Sequence, residues 1–170
     1  KVEELPESTS KTCAGEWTEK EAGGSHLNMT FSKNPRYHLR LTSPHRAKVK
    51  IALSRPEAEW KGKCAKDMVG CMMGFYIFHG PHPDPHHEMG CCMHDGKPWG
   101  ESAFVPMSSV STPTNFYLEP LADDGSGNDV YTIMPATFEP GKVGSFFLSV
   151  VADCEFMLKR DTSTDRKPRN

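Results

Sequence analysis

GEWTEKEAGGSHLNMTFSKNPRYHLRL, Gly15 to Leu41, and DVYTIMPATFEPGKVGSFFLSVV, Asp129 to Val151, are the stretches that decide the fold. Each is a turn-rich approach to a strand. In the first, Gly23-Gly24 admits a positive φ or a close backbone approach, and Pro35 fixes the chain before a strand while lacking the donor an inner ladder would need. Tyr37, Leu39 and Leu41 then alternate with His38 and Arg40, the two-residue period of a half-buried strand. In the second, Pro135 reads as the end of a strand and Pro140-Gly141 as a turn. Gly144 starts a strand with Phe146, Leu148 and Val150 on one face, so a hairpin with a longer loop is expected.

Outward from these stretches the same pattern repeats. Val49, Ile51 and Leu53 alternate with Lys48, Lys50 and Ala52, and the turn signal at Ser43 to His45 predicts an antiparallel hairpin with the Tyr37 to Leu41 strand. Further strands are expected at Gly74 to Phe78, Phe104 to Met107, Asn115 to Leu118, Val130 to Met134, Gly144 to Ala152 and Phe156 to Lys159. Only Ala58 to Met68 is even weakly helical. About eight short strands separated by Gly, Pro, Asn and Asp turns predict an all-β fold, an eight-stranded antiparallel β-sandwich, because each one-sided sheet must bury its apolar face against another.

The 170 residues suffice for one well-filled core. A net charge of -2 and an apolar fraction of 36% are ordinary for a globular domain and argue against polyanion binding by bulk charge. There is no run of roughly 18 apolar residues, as a membrane-spanning helix would need. The opening KVEELPES has neither an initiator Met nor a signal-like apolar run, so the chain reads as a piece of a longer protein. Residues 1–14 are polar and read as a linker or tail, 15–160 as the sandwich, and 161–170 as a flexible tail. Six unevenly spaced cysteines do not form the framework of a small secreted domain, and a reducing cytoplasmic setting is expected.

The two opening segments together resemble the C2-like domain (domain III) of calpains. The family pattern begins with G-x-W, A-G-G, T-F and N-P, matched here by Gly15 and Trp17, Ala22-Gly23-Gly24, Thr30-Phe31 and Asn34-Pro35. It ends with Y-x-I-x-P-x-T-F-E-P, a Gly and an aromatic-rich strand, matched by Tyr131, Ile133, Pro135, Thr137-Phe138-Glu139-Pro140, Gly144 and Phe146-Phe147. Gly74-Phe75 fits the middle strand. The resemblance implies a C2-like sandwich that is a noncatalytic regulatory or scaffold module, with an adjacent calpain-like protease core in the same polypeptide. In such proteins the cysteine-protease chemistry belongs to a separate preceding domain, and the C2-like domain answers to calcium, lipid and partners. Trp17, Phe31, Tyr131 and Phe138 are expected to be packing anchors.

Chemistry inside this chain is not expected. No cysteine has the context of a papain-like nucleophile, and there is no G-x-S-x-G elbow. The segment from His79 to His94 holds five of the eight histidines, and His86 or His87 with Cys91, Cys92 and His94 offers zinc or copper ligands. An adjacent Cys pair chelates poorly, and the Pro-rich start of this segment reads equally as a loop insertion. Asp123, Asp124 and Asp129 offer carboxylates for calcium in a Gly/Ser turn, although the EF-hand spacing is absent. No cofactor is required, and calcium is the one the resemblance admits.

From Ala22 through Pro56 the sequence holds no Asp or Glu. In familiar calpains an acidic run joins the first two strands of this domain, whereas here that connection, Thr42 to Lys48, reads TSPHRAK. Arg36, His38 and Arg40 leave the core face of one strand together, as do Lys48 and Lys50 on the next, with Arg46 between. A basic sheet face is expected, suited to the protease core, an anionic membrane surface or a cytoskeletal protein; the plainer reading is a solvated, edge-protecting face. Nucleic acid is not expected, since no aromatics interleave with the charges for stacking.

Overall fold

The computed structural model describes residues 8–58, 69–80, 108–121, 125 and 129–162. Nine strands run in the order β1 Thr9–Trp17, β2 Arg36–Leu41, β3 Ala47–Ser54, β4 Met73–His79, β5 Ser109–Ser111, β6 Tyr117–Leu118, β7 Tyr131–Thr137, β8 Gly144–Ala152 and β9 Phe156–Asp161, with one 3₁₀ turn at Phe31–Lys33. They form two antiparallel sheets. One is ordered β1-β8-β3-β5, with β6 also on β3; the other is ordered β4-β7-β2-β9. The all-β sandwich expected from the sequence is therefore present, with nine strands among the described residues rather than eight.

Among the described residues, no strand pairs with its neighbour in sequence. This overturns the two expected hairpins. Among the described strands the chain passes to the other sheet after every one but β5, including after β2 and after β7, where the hairpins were expected. The period of two shows that Tyr37 and Leu39 face one way, and likewise Ile51 and Leu53, but it is the same whether two strands lie side by side or face each other across a core. Here they face each other, packing in one cluster with Phe75, Ile77, Ile133, Phe146, Leu148 and Val150. At about 25 cal/mol per Å² of apolar surface, this burial is the main stabilising term.

Two boundaries also differ from the sequence reading. Residues 9–14, expected in a tail, pair with β8 from Thr9↔Ala152 through Ala14↔Phe147. Periodicity could not reveal β1, because its strand is mostly polar and exposed and only Trp17 is fully buried. Asp161, assigned to the other tail, ends β9 opposite Arg36. Pro135 does not end its strand. It lies within β7 opposite Phe75, beyond the Tyr37↔Ile133 pair where β2 pairing stops, so its missing N–H costs no ladder bond to β2.

β4 and β7 are buried on both faces, as the nearly unbroken apolar run of β4 permits. Their second face carries Tyr76, Phe78, Met134 and Ala136, capped by Phe31 from the loop that precedes β2. Phe31 meets Tyr76 edge-on at 4.8 Å. Trp17, Phe31 and Tyr131 are buried as expected of anchors, while Phe138 is only half-buried. The expected strand at Phe104 to Met107 and most of the weak helix at Ala58 to Met68 lie outside the described residues.

Candidate functional site: the two loop ends of the sandwich

At one end, the loop between β1 and β2 is held against the turn between β7 and β8. Gly23 and Gly24 serve different needs. A Cβ on Gly23 would sit 1.9 Å from the Thr30 carbonyl oxygen, and Gly24 adopts φ +80°. The buried Asn34 side chain closes the loop: its Oδ1 accepts from the Gly23 N–H at 3.1 Å, and its Nδ2 donates to the carbonyls of Gly24 and Phe31, each at 2.9 Å. Thr30 Oγ1 donates to the Gly23 carbonyl at 2.7 Å. The Ser25 N–H donates to the Phe138 carbonyl and the Gly141 N–H to that of Ala22, joining the Gly15–Leu41 and Asp129–Val151 stretches. Trp17 Nε1 donates to the Pro135 carbonyl at 3.1 Å, taking up the acceptor that β2 leaves free. Between loop and turn lies an open cleft of about 680 Å³, lined by Glu19, Lys20, Lys33, Arg36 and Pro140-Gly141 among others.

The six candidate cations do not share a face. Arg36, His38 and Arg40 lie on β2 in one sheet, while Lys48 and Lys50 lie on β3 in the other. The β2 group is matched by acids from distant parts of the chain. Arg36 Nε is 3.7 Å and His38 Nε2 3.5 Å from Asp161 Oδ2, and Arg40 Nε is 2.9 Å from Asp129 Oδ2. The β3 group is different. Lys48 and Lys50 are exposed, and neither they nor Arg46 make an ion pair among the described residues. The Arg46 guanidinium lies 4.6 Å from the Tyr117 ring centroid, a cation–π contact across the β3–β6 edge. Sequence reasoning missed Asp161, because nothing local marks an acid that pairs across a sheet.

Of the calcium candidates, Asp129 is buried and held by Arg40, and Asp123 and Asp124 lie outside the described residues. His86, His87, Cys91, Cys92 and His94 also lie outside them. Among the described residues, no three His, Cys, Asp or Glu side chains are grouped to hold a metal ion. Burial pushes the thiols of Cys13 and Cys154 up, away from the thiolate a nucleophile needs. Tyr131 is pushed up to about 12, by burial first and by the Glu119 charge second, and its hydroxyl donates to the Glu119 carbonyl at 2.5 Å.

The family described as "Calpain large subunit, domain III" matches residues 13–151, from within β1 to within β8. A calpain-like protease of Neurospora crassa, palB/cpr-8, is 27% identical over 164 residues, covering 88% of this chain and 16% of that protein. The chain thus spans about a sixth of that relative, a match confined to one module of a much longer protein. With the family matched across most of the sandwich, the chain belongs to the calpain large-subunit domain III family.

Proposed function

We propose that this chain is a noncatalytic regulatory and scaffold module of a calpain-like cysteine protease, and that it positions an adjacent protease core in the same polypeptide. The observation that carries the reading is the unequal state of the two basic strands. Arg36, His38 and Arg40 are engaged by Asp161 and Asp129, which leaves Arg46, Lys48 and Lys50 as the outward charge. Three such cations suit an acidic patch on the core or a cytoskeletal partner, or an anionic membrane, where each contributes about 1 kcal/mol. Within this reading calcium acts by competing for Asp129: binding there breaks the Arg40 pair and releases a further cation beside the β2 face. The module works in the cytoplasm, where its thiols stay reduced.

The test is charge reversal at Arg46, Lys48 and Lys50 in the full-length protein. Interdomain crosslinking should fall, and flotation with phosphatidylserine vesicles at low salt should weaken. Unchanged crosslinking together with unchanged flotation would sink the reading. For calcium, titration calorimetry should give a binding heat that Asp129→Asn removes.

A further inference from the structure

Leu27 and Met29 are the most exposed large apolar residues among the described ones, at 71% and 104%. Their exposure is not slack. Asn28, between them, donates to the carbonyls of Ser25 and Phe138, and Thr30 and Asn34 tie down the rest of the loop. Two apolar side chains are thus presented on a rigid support, beside a cleft that begins at the next residue, Thr30. Lys20, Lys33 and Arg36, from the β1–β2 connection and the start of β2, line that cleft, and Glu19 is its one acidic lining residue. Arg36 shares its charge with Asp161, so Lys20 and Lys33 carry the field outward.

We propose that this cleft docks an extended acidic peptide segment bearing apolar side chains, its carboxylates meeting Lys20 and Lys33 and its apolar groups lying on Leu27 and Met29. Three observations select this occupant. The volume, about 680 Å³, is in the range of ligand clefts. The glycine backbone groups that could form an anion nest are already used: Gly23 N–H and C=O bond Asn34 and Thr30, and Gly141 N–H bonds the Ala22 carbonyl. Recognition therefore falls to side chains rather than to a backbone nest for one phosphate. Finally, the loop from Ala22 to Pro56 holds no acid, and the flanking Glu21 and Glu139 are paired with Arg160 and Lys142. Exposed Met suits a partner of variable shape.

The site is at the opposite end from Arg46, Lys48 and Lys50, so its success or failure is separate from that of the function proposed above. The probe is a fluorescein-labelled peptide of Asp-Glu-Leu repeats, followed by anisotropy with the chain at low salt. In a K48E/K50E background, which removes the competing cations of the other end, binding should persist, fall about tenfold on adding K20E/K33E and about threefold on adding L27S/M29S, and weaken with salt. A peptide with Asn and Gln in place of the acids should not bind. Because Lys20, Leu27, Met29 and Lys33 are all exposed, unchanged melting curves will separate lost binding from lost folding. No binding at low salt, complete loss of binding in K48E/K50E, retention in K20E/K33E, or binding only to phosphatidylserine vesicles would each overturn the proposal.

Discussion

The two ends of the sandwich differ in which forces predominate, although the approach-loop end also carries the Arg36–Asp161 and Arg160–Glu21 ion pairs. At the approach-loop end, side-chain amides and hydroxyls are turned onto backbone groups, as with Asn34, Thr30, Asn28 and the Trp17 indole. At the end where β2 passes to β3, the outward groups are charges: the Arg40–Asp129 pair, the Arg46–Tyr117 contact and the exposed Lys48 and Lys50, which make no ion pair among the described residues. The first end is a matter of shape, sensitive to a single added methyl. The second is electrostatic, tolerant of substitution and responsive to salt and pH.

The largest effect should come from Gly23→Ala. Its Cβ meets backbone rather than a yielding side chain, so the loop must move, at a cost of about 3 kcal/mol in urea unfolding. A loss under about 1 kcal/mol would show that this end is softer than its hydrogen bonds imply. Next is Asn34→Ala, which strands buried backbone partners at Gly23, Gly24 and Phe31 and should cost about 2 to 3 kcal/mol. Neither change should alter the salt dependence of stability.

At the other end the effects are smaller. Tyr131 holds its proton more tightly folded than unfolded, so the unfolded chain ionises first as pH rises. Stability should decline from about pH 10, the ordinary tyrosine value, through about pH 12, and Tyr131→Phe should flatten that stretch of the profile. A wild-type slope that survives Tyr131→Phe would assign it to another group. Removing both charges of the pair, in Arg40→Ala with Asp129→Asn, should cost less than about 1 kcal/mol, and that loss should shrink as salt is raised, because the arginine is half exposed and no buried carboxylate is left unpaired. A loss above 2 kcal/mol would place Arg40 with the shape-determined end and erase the contrast between the two.

Much of the approach-loop end was legible in the sequence, because its devices are local and chemically distinctive. Gly23-Gly24, Asn34-Pro35 and Pro140-Gly141 each narrow the backbone to few conformations, and the structure puts a close approach at Gly23, a positive φ at Gly24 and another at Gly141. The basic face was legible only in part. Alternation put Arg36, His38 and Arg40 together correctly, but joining them to Lys48 and Lys50 required β2 and β3 to be neighbours. The proposed docking cleft was not legible at all, since Lys20, Lys33 and Gly141 meet only when the first and last thirds of the chain are brought together.

What the sequence by itself determined is the class of fold and its buried residues, because a period of two with Gly and Pro punctuation is a property of each short segment alone. What the tertiary structure alone decided is which strands are neighbours, and therefore which charges meet. Each strand pairs with one far along the chain, β1 with β8 and β2 with β7 and β9. Such pairings are selected by the collective burial of two sheet faces against each other, and no local pattern encodes them. Asp161 and Asp129 reach Arg36 and Arg40 by that route, converting most of one apparent basic face into internal ion pairs and leaving Lys48 and Lys50 without one among the described residues.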